Sequence, residues 1–389
     1  MAGMRASMKS VIRWGLIGML SVLAVFGLML SRVHAASGSQ TPTPGVPIST
    51  PTQPASLINQ QCLLCHSRPN LTYQLPSGDS LYLTIDPATF TDSIHGKAAL
   101  DCVSCHTNIT SYPHPPLAAQ NLREVAISFS QTCQACHPAE FAKQQDGIHQ
   151  QALARGNENA AVCSDCHNPH YTSLPAVPRA KIVATCGTCH SGIAQQYSQS
   201  VHGTALINDN NPDVPSCIDC HGVHNIPNPL TSQFLLASPQ LCANCHTNQQ
   251  MMAKYNLSTN VMSTYLNDFH GTTVELFSQL SPGQLPNEAL CIDCHGTHDI
   301  QSTSKLSPSA IEQNLLPSCQ RCHPNATINF PGAWLNHETP SSTHAALVYY
   351  VTWFYKILIP VVIGGMLIFV LSDFGRRIAR KVTAKGGRH

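Results

Sequence analysis

Two long stretches of this chain are apolar. The first runs from Gly15 to Leu30, behind Arg5, Lys9 and Arg13, and leads into Val33-His34-Ala35-Ala36, where the small residues fit a cleavage site after Ala35. A basic start, an apolar run and small residues in that order make an export signal. The run is long for a signal, so residues 1–36 are read as a signal peptide or an uncleaved N-terminal anchor. The second stretch, Leu347 to Leu371, is long enough to span a bilayer and opens with Tyr349, Tyr350, Trp353, Phe354 and Tyr355 as an interfacial belt. Arg376, Arg377, Arg380, Lys381, Lys385 and Arg388 follow it. By the positive-inside rule, a transmembrane helix over 345–372 then leaves 373–389 as a basic cytoplasmic tail and places everything before the helix on the outer face. Lys356 sits where its stem can run along the apolar surface with its amine among the headgroups. Pro360 is a site for a kink, and Gly364-Gly365 for close helix packing.

Between these segments the pattern changes. Residues 37–59 are rich in Pro, Ser and Thr with almost no large apolar side chains, as in an extended tether. Residues 60–344 are punctuated by Cys-x-x-Cys-His. It occurs nine times and uses all eighteen cysteines: Cys62 and Cys65, Cys102 and Cys105, Cys133 and Cys136, Cys163 and Cys166, Cys186 and Cys189, Cys217 and Cys220, Cys242 and Cys245, Cys291 and Cys294, Cys319 and Cys322. The closing histidines are His66, His106, His137, His167, His190, His221, His246, His295 and His323. Two cysteines three apart share one face of a helical turn, where both sulfurs reach the vinyl groups of one porphyrin, and the next residue brings its imidazole under the iron. A single copy also fits a zinc half-site or a redox dithiol; nine unspoiled copies point to nine covalently bound c-type haems. With porphyrins supplying much of the apolar interior, the chain need not bury a large aliphatic core. The expected fold is mainly α, with few short helices and extensive loops packed around haem in cytochrome c repeats, plus the C-terminal transmembrane helix.

The motifs fall into an internal repeat holding two haems per unit. A first motif is followed by a lone histidine, a second motif, and another histidine shortly after. His95 and His114 flank the motif at Cys102, His149 and His170 that at Cys163, His202 and His224 that at Cys217, and His270 and His298 that at Cys291. His337 and His344 follow the last motif. Of 21 histidines, nine close motifs, and His34 and His389 lie in the terminal segments. Ten therefore remain as distal ligands for nine irons: His95, His114, His149, His170, His202, His224, His270, His298, His337 and His344. Two axial histidines make a six-coordinate iron with no open position, suited to passing single electrons.

Charge narrows the partners. From Ser37 to His344 there are ten Lys and Arg against nineteen Asp and Glu, a net −9, which argues against nucleic acid and suits a redox protein with a basic docking face. From Gln60 to His344 the chain resembles the multihaem c-type cytochromes of respiratory chains. The resemblance implies closely spaced, mostly bis-histidine haems in parallel-stacked and perpendicular pairs, used as a wire. Members resembling quinol dehydrogenase cytochromes take electrons from the quinone pool; those carry an N-terminal anchor, whereas the clearer helix here is C-terminal, which leaves room for a separate integral-membrane, quinone-reactive subunit.

The expectation is an electron relay at the cell membrane, with its haem domain on the periplasmic or extracellular face. It would connect the quinone pool, directly or through such a subunit, to a periplasmic or extracellular redox partner, as an electron-transfer protein rather than a catalyst. The alternative is a multihaem reductase of a small nitrogen or sulfur oxyanion. That needs a vacant iron, and the first motif, far in sequence from any companion histidine, is where one would lie.

Overall fold

The computed structural model describes residues 56–173, 178–303, 306–332, 337–343 and 345–386, within one compact unit of the chain. The signal or anchor and most of the tether lie outside the described residues, as does His344. The described residues are mainly helical. Their only sheet is a two-stranded hairpin, Thr72–Gln74 against Ser80–Tyr82, and most helices are shorter than four turns.

The motifs alternate between two local settings. Those at Cys62, Cys186, Cys242 and Cys319 close a longer helix: Leu57–His66, Ala180–Gly187, Ser232–His246 and Pro308–Gln320 respectively. The motif at Cys133 follows helix Leu122–Ser130 in the same manner, on a 3-10 turn over Gln131–Ala135. The others form isolated turns, Cys102–Cys105, Cys163–Cys166, Cys217–His221 and Cys291–His295. A one-turn helix has no stability of its own. Three of the four are capped by an aspartate inside the motif: Asp165, Asp219 and Asp293 accept from the N–H of Val162, Ser216 and Leu290 at 2.7, 2.6 and 2.8 Å.

Arginines hold two of these turns in place. Arg123 Nη1 meets Asp165 at 2.8 Å, and its other nitrogens donate to the carbonyls of Glu158 and Ala160. Arg179 meets Asp219 at 2.6 Å and the carbonyls of Pro212 and Val214, both at 2.8 Å. Each arginine thus grips the carbonyls three and five residues before a motif, in the same register. In the fourth unit Arg321 donates instead to the Asp293 backbone carbonyl, and Tyr265 donates its hydroxyl to the Ala289 carbonyl at 2.9 Å. Tyr197 makes the corresponding bond to Pro215. Burial pushes both tyrosines well above the usual phenol range, which keeps them as donors.

The lone histidine of each unit starts a short helix: Ile94–Lys97, Ile148–Ala154, Val201–Ile207 and Phe269–Leu280. In three of them glycine follows the histidine because the preceding helix ends against that turn. A Cβ on Gly96, Gly203 or Gly271 would be driven into the carbonyl oxygen of Phe90, Tyr197 or Tyr265. The second unit has Gln150 there and makes its close approach at Gly147 instead, against the His224 carbonyl. The first residue of three of these helices also reaches forward: the N–H of Ile94, Ile148 and Val201 donates to the carbonyl of Thr172, Ile226 and Ile300 at 2.9, 2.8 and 2.9 Å. Each acceptor lies two residues past the downstream histidine of the next unit, so successive units are stitched through their backbones.

The polypeptide's own apolar interior is small. Its clearest cluster is Val183, Tyr197 and Leu206, with Ala194, Val214 and Cys217 packed against it. The C-terminal helix Ala346–Gly386 runs 41 residues without a break and takes in Pro360. Its stretch Ala346–Lys381 is long and apolar enough to cross a membrane, and its most apolar part is not buried. At about 1.5 Å per residue those 36 residues extend roughly 54 Å, longer than an apolar layer of about 30 Å, and the basic residues that follow the apolar run belong to the same helix. Lys356 Nζ lies 5.6 Å from the centre of the Trp353 ring, beside the aromatic belt.

Candidate haem-binding sites

Histidines meet two by two throughout the described residues, each pair joining a motif histidine to one outside the motifs. Ring centroids are 6.1 Å apart for His66 and His114, 6.0 Å for His106 and His170, 6.3 Å for His137 and His95, and 6.2 Å for His167 and His224. The separations are 6.2 Å for both His190 with His149 and His246 with His202, and 6.1 Å for His221 and His298. They are 6.0 Å for His295 with His337 and 6.4 Å for His323 with His270. Two imidazoles bound to one first-row metal at about 2.0–2.1 Å place their centroids about 6 Å apart, so every pair has the spacing that one iron requires. Among the described residues no group of three or more histidine, cysteine or acidic side chains converges as a bare metal ion would need.

The pairing crosses the repeat. The second motif of each full unit after the hairpin faces the downstream histidine of the next unit, and the first motif of every later unit faces the upstream histidine of the unit before. Only the first motif is served within its own unit, by His114. Its proximal partner, His66, turns Nδ1 to the Leu83 carbonyl at 2.9 Å, and His95 turns Nδ1 to that of Pro169 at 3.0 Å. A carbonyl only accepts, so these bonds place the proton on Nδ1 and leave the Nε2 lone pair free. His114 Nδ1 lies 3.3 Å from the Ser111 carbonyl and His337 Nδ1 3.2 Å from Thr264 Oγ1. Burial lowers the pKa of His106, His167, His170, His202, His221, His246, His295 and His337, and in most of them the facing ring adds to it. A lowered pKa keeps the ring neutral and able to bind a metal.

The cysteines form a continuous file in sequence order. The first cysteines of neighbouring motifs interact in the pairs Cys62 with Cys102, Cys133 with Cys163, Cys186 with Cys217 and Cys242 with Cys291. The second cysteine carries the file onward, Cys105 to Cys133 and Cys136, Cys166 to Cys186 and Cys189, Cys220 to Cys242 and Cys245, and Cys294 to Cys319. Hydrogen-bonded pairs of first cysteines and charge interactions between successive pairs thus alternate along the nine motifs. Burial pushes the Cys220 thiol up to about 11, while thiol–thiol hydrogen bonds from Cys217 and Cys291 draw Cys186 and Cys242 down to about 7.

Several side chains at these sites carry no motif. Phe129 and Phe330 lie against His106 and His323 at 5.1 and 4.9 Å between ring centres, and Phe234 lies parallel to His221 at 5.5 Å. The arginine clamps are equally absent from a motif search, although Arg123 and Arg179 both precede a first motif by less than three helical turns. Met252 is buried, and the iron position nearest it in sequence, at His246, faces His202 instead.

A mainly helical chain with repeated Cys-x-x-Cys-His motifs and paired histidines has the features that a multihaem c-type cytochrome needs. Residues 149–195 match the family model described as a doubled CXXCH motif, a span that contains the motifs at Cys163 and Cys186 with His149 and His170. The match supports a multihaem c-type cytochrome that binds haem covalently and takes part in electron transfer. Comparison with curated proteins finds no match.

Proposed function

We propose that this protein is a membrane-anchored nine-haem relay that carries single electrons between the quinone pool and an acceptor outside the cytoplasm, directly or through a quinone-reactive membrane subunit. The observation that carries this reading is the facing of every motif histidine by a second histidine at 6.0–6.4 Å. Covalently attached haem supplies reversible one-electron exchange between ferric and ferrous iron. The residues do the rest. Motif cysteines would hold each ring, the facing imidazoles would ligate its iron, and Phe129, Phe234 and Phe330 pack against His106, His221 and His323. The small aliphatic core fits an interior built largely of porphyrin.

The reductase alternative requires an open iron, and the first motif was its best candidate. His114 facing His66 favours the relay. The apolar helix and the basic residues after it favour a membrane anchor with its C-terminus in the cytoplasm and the haem region outside.

Electron paramagnetic resonance of the purified protein, with haem quantified as the pyridine haemochrome, tests the reading. Nine haems per chain, all low-spin, are expected; a substantial high-spin ferric fraction overturns the relay in favour of catalysis. Menaquinol added to membranes should reduce the haems rapidly, and a chain ending before Ala346 should be reduced more slowly. Equal rates would remove the helix from electron entry.

A further inference from the structure

We propose that Asp268 is a positioning residue that lowers the potential of the haem attached at Cys319 and Cys322, making the centre nearest the membrane helix in sequence the low-potential end of the file; this rests on the relay proposed above. The argument is an internal comparison. Each unit has one short helix that begins beside a distal-histidine candidate, and the residue capping that helix is Ser93 in the first unit, Gly147 in the second and Ser200 in the third. The serines cap through neutral hydroxyls, accepting from the N–H of Gly96 and Gly203 at 3.0 Å each. In the fourth unit the cap is Asp268. Its Oδ1 accepts from the Phe269 N–H at 2.7 Å, and its Oδ2 lies 3.3 Å from Nδ1 of His270, the ring that faces His323.

A serine would complete the cap, since serine and aspartate serve equally at this position. What aspartate adds is a carboxylate on the outer nitrogen of an imidazole whose other nitrogen is turned to an iron position. That arrangement raises the basicity of the ring and its donation to the metal. Stronger donation, together with a nearby negative charge, favours ferric over ferrous iron. His95, in the first unit, has only a neutral carbonyl at the same nitrogen.

The surroundings act in the same sense. Asp165 and Asp219, inside the motifs of the second and third units, are each matched by an arginine side chain. Asp293, at the same place in the fourth, accepts from the Leu290 N–H while Arg321 turns to its backbone carbonyl. Between residues 255 and 344 there are seven acidic side chains against two basic, more than half of the net −9 of the region outside the cytoplasm. Asp268 thereby biases single electrons to run from the membrane end of the file toward the Cys62 end.

The test is a spectroscopic potentiometric titration of the full-length holoprotein carrying Asp268→Asn, Asp268→Ser or Asp268→Glu. Asparagine and serine keep the cap and remove the charge, so the component of the haem attached at Cys319 and Cys322 should move furthest to higher potential, with a smaller shift in the haem attached at Cys291, whose Cys294 and facing His337 also feel the Asp268 charge, and the other seven superimposing on the wild type. Glutamate should hold that component near its native position, and all three variants should stay low-spin. Curves that superimpose for all variants, or a drift of all nine components together, would overturn the role of Asp268. High-spin haem in the wild type would instead sink the relay, so the two failures are told apart.

Discussion

An imidazole serves a haem iron only if it is neutral, correctly turned and held at the right depth, and here three separate features meet those needs. Burial lowers the proton affinity of most of the facing rings, a carbonyl at Nδ1 turns His66 and His95, and helix starts or tight turns set the depth. His114 depends on none of the repeated helices, and it alone completes the first motif. His114→Ala should therefore leave nine haems attached, since both thioethers and His66 remain, while one haem in nine changes from low-spin to high-spin. Electron paramagnetic resonance with and without added imidazole reads this directly: imidazole should restore the low-spin signal, and an unchanged spectrum in the variant would remove His114 from the iron.

At the level of elements, the isolated motif turns need support that the motif itself cannot give. Arg179 bridges two loop carbonyls and the Asp219 carboxylate, and three bonds from one charged group rank above any single contact in that loop. Hydrogen bonds to charged groups contribute about 1.5–3 kcal/mol when buried, and this pair is partly exposed, so Arg179→Gln should lower holoprotein stability by about 1–2 kcal/mol, measured by thermal unfolding. The pH dependence follows from Asp219. Burial opposes its charge, but the N–H and hydroxyl of Ser216 and the Arg179 guanidinium outweigh that and hold its carboxyl below the usual range. A depressed carboxylate stabilises the fold above its ordinary pKa, and that contribution disappears as pH falls through the folded value. The stability gap between wild type and Arg179→Gln should accordingly be full at neutral pH and narrow below about pH 4. None of this was legible beforehand: Arg179 lies 40 residues from its carboxylate, and no local spacing announces the contact.

At the scale of the whole molecule, the sequence carried the Cys-x-x-Cys-His motifs, their two-motif period and the apolar C-terminal helix, because each is a local pattern. It carried the set of histidines available as partners but not their matching, because matching is a property of how the units stack. His221 belongs to the third unit and faces His298 of the fourth, while Val201 of the third donates to Ile300 of the fourth. Side-chain pairing and backbone bonding thus cross the same boundary in the same direction, and neither unit has a complete site without the other. Units joined in this way should not open independently, unlike repeats that merely stack. His298→Ala offers a clear test by hydrogen exchange with mass spectrometry. Protection should fall in 291–300, around the substitution, and also in 217–224, in the preceding unit, while 57–66 at the far end of the file keeps its wild-type exchange. Loss confined to 291–300 would mean that the imidazole pairs decorate a fold already stable unit by unit. Loss in both segments would mean that the axial histidines are also the fasteners between repeats, so that the contacts filling the iron positions and the contacts ordering the file are the same ones.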